Sequence, residues 1–150
     1  MGGMLTLNAD SPWASEFRSF LSEDTEGGSR LYSGDCRVLS SNIRSYRQRV
    51  EKSNLNGELV ADYLHEHPAI GRVWYPKFNT PHEYRLIRRE NGGYGGLVSF
   101  TLKQPRKMPR VYDALELCKG PNLGTEFTLA NPYTMLAHYF ELDWAEACGV

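Results

Sequence analysis

The sequence predicts an α+β fold: a small antiparallel sheet covered by helices on one face and preceded by a long helix. Three observations carry this. Apolar residues recur at helical spacing from Cys36 to His65. Short β-prone runs follow at residues 70–75, 95–102 and 125–129, punctuated by proline and glycine. The resulting order, β-α-long α-β-β-α-β-α-α, suits mixed layers around one core.

Met4–Leu7 is a short β-prone run, and Asn8–Ser11 is a turn. Ser11 suits an N-cap and Pro12 a first helical position; with Trp13, Phe17, Phe20 and Leu21 at helical spacing, residues 12–21 read as a short amphipathic helix. Residues 22–34, rich in Ser, Gly and acids, read as a loop, with Asp35 placed to cap the next element. Over residues 36–65, Val38, Leu39, Ile43, Tyr46, Val50, Leu59, Val60, Tyr63 and Leu64 lie near one helical face. A gap from Ser53 to Gly57, with its small residues, suits close packing or a kink. Pro68 ends this helix.

Ile70–Tyr75 reads as a strand closed by Pro76, and residues 77–93 as irregular and polar. Gly95–Leu102 reads as a strand fed by Gly92, Gly93, Gly95 and Gly96, which permit tight turns or a bulge. Pro109–Leu117 reads as a helix and Thr125–Leu129 as a strand. Asn131 is expected to cap a helix with Pro132 in its first turn. Leu142–Cys148 is a last short helix stopped by Gly149.

The length suits a single domain with a modest core. A formal net charge of −1 sets up no bulk field to recruit nucleic acid or an anionic membrane. No apolar run approaches a membrane span, and the N-terminus lacks the basic-then-apolar pattern of a signal peptide. Cys36, Cys118 and Cys148 are widely spaced without a C-x-x-C, the pattern of reduced thiols in an intracellular protein. The expected location is the cytoplasm.

Most chemistry-bearing groups have a plain structural reading. Arg37, Arg44, Arg47, Arg49 and Lys52 make a basic helix, but no aromatic platform interleaves with them, so a solvated face outweighs an RNA-binding stripe. His65-x-His67 sits at a helix end, with His82 and His138 far off in sequence, and no ligand set for a metal is completed. Gly92–Gly96 precedes a strand, whereas a phosphate loop opens a helix. Ser99 and Thr101 alternate with Val98, Phe100 and Leu102, and no G-x-S-x-G elbow is present. His138, among aromatic neighbours, reads as half-buried and satisfied rather than as a general base. Asn122-Leu123-Gly124 leads into a strand and offers backbone N–H groups and a polar side chain that could hold a substrate carboxylate by hydrogen bonds; read alone, a plain β-turn outweighs that reading.

Taken in order, several segments resemble the Cys/Met-metabolism family of pyridoxal-phosphate (PLP) enzymes, especially its fungal cystathionine γ-synthase-like branch. Residues 1–8 resemble the glycine-rich strand that follows the family's catalytic lysine segment. Residues 41–50 resemble the start of its long interdomain helix, with Arg49 at the family's arginine. Residues 64–68 and 73–76 resemble its "helix, His-Pro, strand, Tyr-Pro" passage, and residues 92–100 its glycine-rich strand entering the C-terminal domain. Lys119–Tyr139 and Glu141–Ala145 match most closely.

The resemblance implies the C-terminal portion of a fold-type-I PLP-dependent transferase or lyase. Residues 1–34 would be a remnant of the large PLP domain, 35–67 the interdomain helix, and 68–150 a small α+β domain truncated before its last strand. The implied reaction is γ-replacement on an activated homoserine by a thiol such as cysteine. The implied partners are an amino-acid substrate and either a second copy or a full-length homologous subunit, with no nucleic acid and no membrane. Within this chain the resemblance assigns Asn122, Leu123 and Gly124 to substrate binding, in the place of the family's Ser-Leu-Gly. It assigns no catalytic, cofactor-binding or metal residue. The Ser/Thr-Lys-Tyr cofactor segment does not occur, and the carboxylate-binding arginine would follow Val150. Inactivity of the piece alone is therefore expected. The alternative is a non-catalytic truncated paralogue that modulates full-length subunits.

Overall fold

The computed structural model describes residues 6–23, 31–122 and 124–148. The chain divides into two compact units, residues 1–47 and 48–150.

In the first unit, the Asn8 side chain accepts the Asp10 N–H at 3.0 Å, and Ser11 N donates to Asn8 O at 3.1 Å. This Asx turn carries the chain into α1 (Ala14–Glu23). The helix starts two residues later than Pro12 because Pro12 and Trp13 belong to the turn. Of the strand expected at 4–7, Met4 and Leu5 lie outside the described residues, while Thr6 and Leu7 adopt no regular structure. Ala14 is buried, whereas Trp13, Phe17 and Phe20 are exposed.

The element expected to begin after Asp35 begins earlier, as α2 (Ser33–Asn42), with Tyr32 at its N-cap. Asp35 does not cap it but lies in its first turn, where a negative charge suits the helix dipole. A 3-10 turn, Ile43–Ser45, separates α2 from the long helix α3 (Tyr46–Glu66). One continuous helix was expected from 36 to 65. At the break Ser45 Oγ donates to Asn42 O at 3.4 Å, a side-chain bond of the kind that competes with the backbone ladder.

In the second unit, α3 passes through Ser53–Gly57 without a break, and the small residues there serve close packing instead. A Cβ on Gly57 would lie 2.5 Å from Gly95 O and 2.9 Å from Gly96 Cα. The backbone of the glycine-rich segment thus occupies the space a side chain would need.

β1 (Ile70–Trp74) and β2 (Ser99–Leu102) form an antiparallel ribbon, from Ile70 opposite Leu102 to Trp74 opposite Ser99, with a bulge at Gly71. β2 is half the expected length, because Gly95 (φ +89°) and Gly96 turn against α3 instead of joining the ladder. Residues 77–93, read as irregular, instead contain α4 (Pro76–Asn79) and α5 (Pro81–Ile87). Both start with proline at the first turn, and α5 carries Glu83 there, a start signal the polar composition obscured.

A 3-10 turn, Pro105–Lys107, leads into α6 (Met108–Ala114), which ends three residues short of Leu117. β3 (Cys118–Lys119) and β4 (Leu129–Ala130) pair in parallel, a second small sheet beside the antiparallel ribbon. The strand expected at 125–129 shrinks to its end because Thr125 Oγ1 donates to Phe127 O at 3.1 Å and turns the backbone locally. α7 (Tyr133–Ala137) has Pro132, not Asn131, at its N-cap. After a 3-10 turn, Tyr139–Glu141, α8 (Leu142–Ala147) closes the described chain; Gly149 lies outside it.

The core of this unit sits where α3 meets β1. Ala61 is 0% exposed, and Val73 and Tyr75 join it, with Leu64, Ile70, Phe78, Tyr94, Val98 and Phe100 packed around them. Among the described residues, no helix is long and apolar enough to cross a membrane. The thiols of Cys36, Cys118 and Cys148 are free.

Ala61 leaves no room for a larger side chain, so Ala61→Leu should destabilise the chain by about 1–3 kcal/mol through overpacking. A urea melt measures this as a lower midpoint. Burial, reinforced by the Glu58 carboxylate, pushes the Tyr75 phenol from its ordinary 10.0 up to about 12. The unfolded phenol ionises first, so the contribution of Tyr75 to stability is intact below pH 10 and is lost as pH rises through about 12. Tyr75→Phe should therefore flatten the decline in stability across that window, read from urea melts at stepped pH.

Candidate functional site

The loop between β3 and β4 holds the residues assigned to substrate binding. It is anchored at both ends. Gly120 N donates to Ala130 O at 3.2 Å, and the Tyr112 hydroxyl of α6 donates to the same oxygen at 3.3 Å. Gly120 has φ +151°, a value that favours glycine. Within the loop, Asn122 Oδ1 accepts the Gly124 N–H at 2.8 Å, closing an Asx turn. Asn122 and Gly124 are exposed, and Leu123 lies outside the described residues. The oxygen of the Asn122 amide is thus committed to the loop, and its Nδ2 is the end that can donate to a carboxylate.

A PLP site needs an uncharged lysine amine beside an enclosed pocket. Lys77 Nζ lies 2.8 Å from Glu58 Oε1 and 2.8 Å from Asp62 Oδ1. Hydrogen bonds to Asp62 and then Glu58 raise its pKa above the ordinary lysine value, so it stays protonated. Lys119 Nζ donates to Leu115 O at 3.0 Å and stands over the Tyr112 ring. Lys52, Lys103 and Lys107 are exposed. An open cleft of about 330 Å³ runs along β1, α4 and the glycine segment, with Trp74, Tyr94 and Leu97 as its apolar walls and Asn79, Thr80 and Ser99 as its polar groups. No lysine lines it. The described residues of this chain do not by themselves fit the cofactor, and no chemical step is derived through it.

The other candidates lie in different surroundings. His65 stacks on Phe78 with ring centroids 4.2 Å apart, and His67 Nδ1 accepts the Ala69 N–H at 3.2 Å. His138 is half-buried, 3.3 Å from Glu141 Oε2 and packed against Tyr133 and Trp144. Ser99 is exposed and Thr101 half-buried on β2.

Two arrangements escaped the sequence reading. The Lys77 clamp was foreshadowed only by Glu58 and Asp62 at i,i+4 on α3, a spacing that puts both carboxylates on one face. The grip of Asn54 and Tyr75 on Gly95 had no local signal, since Asn54 Oδ1 reaches Gly95 N (2.9 Å) across 41 residues and the Tyr75 hydroxyl reaches Gly95 O (2.9 Å) across 20.

Comparison with known proteins places this framework. A cystathionine gamma-synthase of Neurospora crassa is 40% identical over 151 residues, covering all of this chain and 24% of that protein. A cystathionine gamma-synthase-like enzyme of Amanita muscaria is 34% identical over 174 residues, covering all of this chain and 28% of that enzyme. The chain thus spans about a quarter of the length of these curated relatives. A crystal structure assigned as an O-acetylhomoserine (thiol)-lyase of Campylobacter jejuni, which carries N'-pyridoxyl-lysine-5'-monophosphate, aligns with a TM-score of 0.70 and 26% identity over 94% of this chain and 34% of that one. The fold is that of the fold-type-I PLP enzymes, an α+β mix of helices and small sheets. The family model for Cys/Met metabolism PLP-dependent enzymes matches residues 1–143, and the chain belongs to that family.

Proposed function

We propose that this chain is the C-terminal portion of a trans-sulfuration enzyme that resembles cystathionine γ-synthase and exchanges the γ-substituent of an activated homoserine for a thiol such as cysteine, in the cytoplasm. The observation that carries the reading is full-length similarity to a cystathionine gamma-synthase at 40% identity, combined with coverage of only 24% of that protein. Residues 1–34 would then belong to the large cofactor domain, 35–67 to the interdomain helix and 68–150 to the small domain.

In this reading PLP would be held by residues outside these and would supply the electron sink of the reaction. The chain's own task is to bind and orient the amino-acid substrate. Asn122 Nδ2 would receive its carboxylate, with Leu123 and Gly124 as the neighbouring residues that the resemblance assigns to the same site. Asparagine is longer than serine, so the carboxylate would sit farther from the β3–β4 loop backbone than a serine would place it.

Alone, the chain would be inactive, and its exposed apolar residues argue for association. Trp13, Phe17, Phe20, Phe140 and Trp144 are all more than half exposed, an unusual load for a lone monomer. The partner we infer is a full-length homologous subunit or a second copy.

Two outcomes are expected. Mixed with an activated homoserine, cysteine and PLP, the purified chain should form no cystathionine above background; turnover by the chain alone would overturn the assignment of inactivity. On size exclusion and thermal melting, the isolated chain should show concentration-dependent association. A sharp, monomeric, concentration-independent melt would overturn the partner assignment.

A further inference from the structure

We infer that the Gly92–Gly96 segment is a strap that locks α3 and the β1–β2 ribbon into one cooperative body, with the Gly95 peptide as its lock. Neighbouring elements grip its backbone at successive points. Arg88 Nη1 donates to Gly92 O at 2.8 Å, and the Tyr84 hydroxyl donates to Gly93 O at 3.3 Å, both from α5 and its C-terminal edge. Asn54 of α3 accepts the Gly95 N–H, and Tyr75 at the end of β1 donates to the Gly95 carbonyl, each at 2.9 Å.

The Gly95 peptide is therefore held through its N–H by the helix and through its C=O by the ribbon. Side chains are excluded along the helix-facing side of the strap. A Cβ on Gly93 would collide with Asn54, and a Cβ on Gly96 with Ser53 Oγ. The one aromatic in the strap, Tyr94, turns toward α5 and β1: its ring stacks on Tyr84 at 5.6 Å, lies 6.0 Å from Tyr75, and carries the Arg88 guanidinium at 4.7 Å.

Half-buried polar groups held at both ends are costly to release singly. Opening the strap therefore frees the helix and the ribbon together. Tyr94 of the strap also forms one wall of the cleft beside β1. This inference rests on contacts within residues 48–150 and stands apart from the assigned reaction.

Amide hydrogen exchange on the intact chain tests it. In the unmodified protein, amides of α3 around residues 54–64 and of β2 should share one opening free energy. Tyr75→Phe keeps the ring and removes only the hydroxyl; Asn54→Ala removes the acceptor together with the rest of the carboxamide. Each should lower protection of the Gly95 amide by about tenfold or more, and the double variant by little more than either single, because both contacts hold the same peptide. Gly57→Ala should lower protection of α3 and β2 in parallel; if it fails to fold, the two single variants and their double still decide. Multiplicative losses in the double variant would overturn the lock, as would unrelated exchange of α3 and β2 in the unmodified chain.

Discussion

The architecture of residues 48–150 turns on one constraint: the long helix must come within backbone distance of the glycine-rich segment. Gly57 has no side chain because Gly95 O and Gly96 Cα fill that space. Once that approach is made, the Gly95 N–H and C=O are withdrawn from the sheet ladder and need other partners. Asn54 and Tyr75 supply them. Tyr75 can do so because it sits in the core beside Ala61 and Val73, so the polar lock and the apolar core share a residue. The shortness of β2 follows from the same approach.

Around this lock, electrostatics adds little to stability and more to placement. Lys77 is partly exposed, and ion pairs in such settings contribute modestly. Its effect is to tie the start of α4 to one face of α3 through Glu58 and Asp62. The same pairing keeps the amine protonated and unsuited to bind an aldehyde cofactor. The second sheet has a different logic: β3 and β4 are two residues each, and what fixes their loop is the convergence of Gly120 N and the Tyr112 hydroxyl on one carbonyl of β4.

Much of this was legible in the sequence, because periodicity and proline placement are local signals. The helix over Val50 to Leu64 and the strand at residues 70–74 survive in the structure, but Val50, Leu59, Val60 and Tyr63 are exposed and the buried positions of that helix are Gly57 and Ala61. What failed were boundaries set by competition between local and distant bonds. The break at Ile43–Ser45 carries a serine-to-backbone bond, and the loss of strand at Gly95–Val98 goes with contacts to a helix whose Asn54 lies 41 residues before Gly95. α4 and α5 were hidden because their polar composition masked two proline-led starts. For the candidate site, the spacing of Asn122 and Gly124 already implied a turn, and the structure adds that the asparagine oxygen closes it. The engaged state of Lys77 could not be read locally, since its carboxylates lie 15 and 19 residues away.

In the proposed reading these residues supply part of the framework of a PLP enzyme, and the amine that holds the cofactor lies outside them. The most direct measurement is incubation of the purified chain with PLP, borohydride reduction, and peptide mass spectrometry. The expected result is only trace, scattered labelling of the exposed Lys52, Lys103 and Lys107, and no visible absorbance band that survives dialysis. Stoichiometric labelling of a single lysine, with Lys77 the most damaging case, would contradict it.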